Sequence, residues 1–120
     1  MPWWNTVRSS QVLEQEMQVL INAAIERNLR LFACDCAERT IKLYEGECSE
    51  DASRYPSHPN PQSAAEYTAH QSASAAAWRA VRDMDIPWEM AKAWSQTWDS
   101  ERRWQIERLR SYMAGEVAQS

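Results

Sequence analysis

Glycine occurs at only two positions in this 120-residue chain, Gly46 and Gly115, where average usage of about 7% would supply roughly eight. That scarcity removes most of the devices that need a positive φ or a close backbone approach, including phosphate-cradling loops and type I′ hairpins. Neither a G-x-G-x-x-G fingerprint nor a P-loop is present. What remains is a chain of helices that stop at glycine or proline. The length suits one domain with a single modest core, spanning residues 1–120.

Hydrophobic periodicity supports an all-α fold of about four helices in one bundle-like domain. Val12, Leu13, Met17, Leu20, Ile21, Ala24 and Ile25 recur at steps of three and four, which predicts an amphipathic helix over 10–28 capped by Ser9 or Ser10. Residues 1–9 are then a tryptophan-containing arm. Leu29, Phe32, Ala33, Cys36, Thr40, Leu43 and Tyr44 form a second stripe that ends at Gly46, and at Asn28 the two helices either break or run straight through. Residues 46–61 turn acidic and proline-rich and read as a loop. Asn60-Pro61 predicts an N-cap followed by proline in the first turn, with Ser63 and Glu66 as an alternative capping box.

The next helix carries Ala65, Ala69, Ala73, Ala76, Ala77, Ala80 and Val81 as a stripe of small residues. Asp85-Ile86-Pro87 closes it and opens a last helix that runs to Ala114. Projected at 100° per residue, Trp88, Ala91, Trp94, Trp98, Ile106, Leu109, Tyr112 and Met113 share its core stripe. Trp104 falls outside, among Glu101, Glu107 and Arg108. Of the seven tryptophans, Trp78, Trp88, Trp94 and Trp98 thus have core assignments, and Trp104 with the Trp3-Trp4 arm do not.

Thirteen Lys+Arg against seventeen Asp+Glu give a net charge of −4, which argues against direct binding of nucleic acid through its phosphates. No apolar run reaches membrane-spanning length, and the N-terminus lacks the basic and apolar regions of a signal peptide. Three cysteines, an odd number, fit a reducing compartment, so the expected setting is cytoplasmic. Cys34 and Cys36 point about 200° apart on a helix and cannot ligate one metal together. His58 lies in the loop and His70 on the alanine-rich helix, where a lone histidine reads as a polar surface residue, and Ser9, Ser10, Ser49, Ser53, Ser57 and Ser63 have structural explanations as caps or loop residues. No cofactor, metal site or enzymatic activity is expected.

The remaining signal is interaction surface. Tryptophan and arginine are the residue types enriched at binding hot spots, which makes Trp104, Arg103, Arg108 and Glu107 on the last helix, Trp3 and Trp4, and the acidic Glu47, Glu50 and Asp51 candidate contacts for a protein partner or for a second copy of the chain. Solvated charge pairs and docking of the arm onto the core are the simpler structural readings of the same residues.

The run Leu29-Arg-Leu-Phe-Ala-Cys-Asp-Cys-Ala-Glu-Arg-Thr-Ile-Lys-Leu-Tyr-Glu45 resembles the L-R-L-(F/W)-A-x-x-C-A-E-R-V-L-x-L-(F/Y)-E helix of bacterial proteins that include immunity proteins of polymorphic-toxin loci. Glu101-Arg-Arg-Trp-Gln-Ile-Glu-Arg-Leu-Arg-Ser-Tyr-Met-Ala-Gly-Glu116 is similar to the closing E-R-x-W-Q-x-E-R-L-R-x-Y-(L/M)-A-G-E helix of related Ala/Trp-rich proteins. The two motifs cover under a third of the chain and carry no catalytic signature. The family-like Asp-rich turn and Arg-Pro-Arg entry are replaced here by Ser49 to Pro61. The resemblance implies an all-α protein that neutralises a toxin by binding it. A phage protein that blocks a host defence enzyme, as anti-CRISPR proteins do, meets the same physical requirements. The alternative is a homo-oligomeric structural or adaptor protein.

Overall fold

The computed structural model describes residues 3–43 and 55–115, with side chains described for 10–43 and 56–115. Among the described residues there are four α-helices and no strand: α1 (Trp3–Ala23), α2 (Glu26–Leu43), α3 (Pro61–Val81) and α4 (Pro87–Met113), with a 3₁₀ turn at Tyr55–Ser57 before α3. The expected all-α, bundle-like fold is therefore what the described residues form. No described helix is long and apolar enough to cross a membrane.

Two boundaries differ from expectation. Helix α1 begins at Trp3, so the segment read as an arm is helical. No glycine or proline interrupts residues 3–9, and Ser10, expected as a cap, lies inside the helix, its hydroxyl donating to Asp99 Oδ1 at 2.7 Å. The break after α1 falls at Ala24–Ile25 rather than at Asn28, which is buried within α2. The restart at Glu26 sets a carboxylate in the first turn of α2, where the helix dipole favours it.

The entry to α3 follows its sequence. Asn60 has extended backbone, its side chain accepts from the Ser63 amide at 3.1 Å, and Pro61 occupies the first turn. Arg30 fastens this entry to α2 by donating to the carbonyls of Pro56 (3.1 Å), Pro59 (3.2 Å) and His58.

Helix α3 packs against both α2 and α4, while α1 lies mainly along α4. Small size is what permits this closeness: Ala64, Ala65, Ala69, Ala73 and Ala77 are fully buried. Larger side chains fill the space around them, with Met17, Ile21, Leu29, Phe32, Ile106, Leu109 and Tyr112 in one cluster. Truncating Phe32 or Leu109 to alanine in such a core costs about 3–5 kcal/mol. Cys36 sits in the same cluster and its thiol is pushed well up by burial, whereas Cys34 is exposed, as their opposed helix positions require.

Candidate protein-binding surface

The inward face of α4 is polar in its middle. Asp99, Glu101, Arg102 and Gln105 are all buried there, and each is satisfied by another element. Glu101 accepts from Arg39 Nε of α2 at 2.8 Å, from Arg39 Nη2 and from the Ser72 hydroxyl of α3. Arg102 donates from Nε (2.8 Å) and Nη2 (3.0 Å) to the two oxygens of Glu14 and from Nη1 to Gln105 Oε1 (2.8 Å). Gln105 in turn donates to the Ala69 carbonyl at 2.7 Å. Burial pushes the Glu14 carboxyl up, but Arg102 and the Trp98 indole N–H, 2.9 Å away, outweigh it and hold the group below its ordinary value.

A second bridge joins α4 to α2, where Arg108 Nε donates to Asp35 Oδ2 at 2.8 Å and the Tyr112 hydroxyl donates to the same oxygen. Burial, reinforced by that carboxylate, pushes the Tyr112 phenol up. These groups are committed to one another across helix interfaces. No group of three or more potential metal ligands converges among the described residues. His58 Nδ1 accepts from the Asn60 amide at 3.1 Å, and His70 meets Trp98 edge-on at 5.2 Å between ring centroids.

The residues singled out on α4 divide. Trp104 packs against the core cluster, and the Arg39 guanidinium lies 4.0 Å above its ring, so α2 covers it. Arg108 is engaged with Asp35 and spans α4 and α2. Arg103 and Glu107 stand exposed on the outward face. Trp3 and Trp4 belong to the first turn of α1, with side chains outside the described residues, as are Glu47, Glu50 and Asp51 altogether.

The assignment of the other tryptophans reverses. Trp88 is 69% exposed, Trp78 55% and Trp94 36%, although all three were expected in the core. Ala91 and Met113, expected on the same stripe, are exposed as well, whereas Ile106, Leu109 and Tyr112 are buried as expected. No side chain from Arg82 to Trp98 is buried, and burial on α4 begins at Asp99. The stripe therefore runs straight along the helix, but only its C-terminal half has neighbours on every side.

These indoles form a seam. The antiparallel register of α3 and α4, set by Ser72 against Glu101, Ala69 against Gln105 and His70 against Trp98, brings Trp78 level with residues 90–96 of α4. Tyr67, His70, Trp98, Trp94, Trp78 and Trp88 thus follow one another toward the α3–α4 turn, with exposed Ile86 at its end. A groove of about 360 Å³ between α1 and α3 starts the seam, floored by Met17 and Ile21 and bridged by Gln18 donating to Glu66 at 2.9 Å.

No family model, no curated protein and no solved structure matches this chain.

Proposed function

We propose that this chain acts by binding another protein through the aromatic seam of α3 and α4, inhibiting or neutralising its partner by steric occlusion rather than by catalysis. The observation that carries this reading is the exposure of Trp78, Trp88 and Trp94 on a hairpin of two long helices. A tryptophan presents about 150–250 Å², so three at these exposures offer an apolar area in the range that marks interaction sites on soluble proteins. Rigidity adds to it, because ordering of the binding surface before contact lowers the entropic cost of association. Glu14 and Arg102, beside the start of the seam, are paired with each other, and His70 packs edge-on against Trp98.

The class of partner rests on the resemblance of the α2 and α4 motifs to immunity proteins: a toxin, or, for a phage-borne copy, a host defence enzyme. The test is pull-down of the partner with the purified chain, followed by co-expression of the captured protein, read as host survival and as affinity of the purified pair. Trp88→Ser and Trp78→Ser should each weaken binding by at least about 30-fold, the scale of a hot-spot loss of about 2 kcal/mol, while the helical circular dichroism and Tm stay at wild-type values. Full protection and unchanged affinity in the Trp78→Ser/Trp88→Ser double variant would overturn the assignment.

A further inference from the structure

The groove between α1 and α3, where the aromatic seam starts, combines an apolar floor with charged walls. Met17 and Ile21 form the floor of a space of about 360 Å³ and are themselves almost wholly buried. Glu14 on α1 and Glu66 on α3 stand at its walls, with the exposed Tyr67 ring beside the second. The two carboxylates are not equivalent. Glu14 is neutralised by Arg102, which spends Nε and Nη2 on it and Nη1 on Gln105, and which keeps only 7% of its side-chain surface in water. Glu66 accepts from the Gln18 carboxamide at 2.9 Å and has no cationic partner among the described residues. Counting His70 as neutral, the lining thus holds one carboxylate more than it has cations.

We propose that this groove receives a lysine or arginine side chain of the protein partner, its aliphatic stem on Met17 and Ile21 and its charge on Glu66. The inference rests on the reading of the seam as a protein contact and names what that partner presents at one end of it. Other occupants conflict with the lining. An acidic side chain would approach Glu66 and Glu14 together, and an apolar one would strip water from Glu66 without replacing it. A cation exchanges the neutral Gln18 donor for a charge-assisted bond, which is about twice as strong. Gln18 keeps its other acceptor, Asn22 Oδ1 at 3.0 Å.

Long basic side chains suit such a place because their methylenes cover apolar surface while the charged head stays at the rim. Tyr67 gives that head an aromatic neighbour there. The groove also fixes where the cation stands relative to the rest of the contact. His70 lines it and meets Trp98 edge-on, and α4 rises about 15 Å from Trp98 to Trp88. The partner therefore carries its cation about 15 Å from the apolar groups that cover Trp88.

Amide chemical shifts of the full chain, titrated with n-butylammonium and n-butylguanidinium, test the site directly. Both cations should move the resonances of residues 17–21 and 66–70 saturably in the millimolar range, the affinity of a fragment this small. The isosteres n-butanol and pentanoate should leave them in place. Glu66→Gln should weaken cation binding about three- to fivefold, the scale of one exposed charge pair. Gln18→Lys, which sets an ammonium of this chain on Glu66, should abolish it. Trp78→Ser/Trp88→Ser should leave it unchanged, so failure of the seam and failure of the cation site are read separately. Against the protein captured by pull-down, Glu66→Lys should lower affinity at least about tenfold with circular dichroism unchanged. Equal cation shifts around the exposed Asp85 and Glu107, equal binding of n-butanol or pentanoate, or full partner affinity in Glu66→Lys would each overturn the proposal.

Discussion

Arg39→Leu tests whether the polar middle of α4 holds the fold together. Glu101 keeps only 3% of its side-chain surface in water, and Arg39 supplies two of the three donors it has. Stripping one partner from a fully buried pair costs about 3–5 kcal/mol, whereas an exposed pair contributes at most about 1 kcal/mol. Arg39 retains 39% of its side-chain surface, which places this pair between the limits, at about 2 kcal/mol. Loss of the guanidinium from above Trp104 adds about 0.5–1 kcal/mol. The sum, near 3 kcal/mol, lowers Tm by about 12 °C for a chain of this size. The companion variant is Arg39→Leu/Glu101→Leu, which removes the stranded carboxylate. Ser72 then turns its hydroxyl to the carbonyl one turn back along α3, and most of the lost stability returns. Thermal and urea unfolding followed by circular dichroism supply all the corners of the cycle once Glu101→Leu is added. Equal destabilisation in the single and double variants, or a cost below about 0.5 kcal/mol for Arg39→Leu, would refute the account of a carboxylate held inside by its cation.

Glu14 supplies an acid-sensitive contribution. Its folded-state pKa lies below the ordinary 4.5, so its stabilisation is complete above that pH and disappears as pH falls through the lowered value; urea midpoints between pH 7 and 3 should fall less steeply in Glu14→Gln. Tyr112 behaves in the opposite sense. Its raised phenol favours the protonated folded state, stability is lost as pH rises past about 10, and Tyr112→Phe should flatten that alkaline limb while costing about 1 kcal/mol at neutral pH. The two classes of tryptophan should separate in the same assay. Trp104→Ala leaves a cavity beside the core and lowers stability by about 2–4 kcal/mol, whereas Trp88→Ser changes it by less than about 0.5 kcal/mol.

The helices, the Asn60-Pro61 entry and the alanine stripe of α3, apart from half-buried Ala76 and exposed Ala80, were legible because each is encoded locally, by periodicity, by a cap or by side-chain size. The inner face of α4 was not. The projection sets Glu101 beside Trp104 outside the core stripe, and it has no means of knowing that Arg39 and Glu14, 62 and 88 residues away in sequence, will meet Glu101 and Arg102. The same blindness misplaced the tryptophans. Projection tells which way a residue points and not whether a neighbour reaches it. Trp104, off the stripe, is met by Arg39 from α2, and Trp88, on the stripe, is left 69% exposed by the described helices. The halves of α4 therefore do different work. Its C-terminal half joins α1, α2 and α3 through buried ion pairs and Leu109, while its N-terminal half presents the exposed Trp88 and Trp94. Substitutions at 101, 102 and 105 should move Tm, and substitutions at 78, 88 and 94 should move affinity for a partner. A variant of the second group that unfolded the chain would show that the indoles are structural after all.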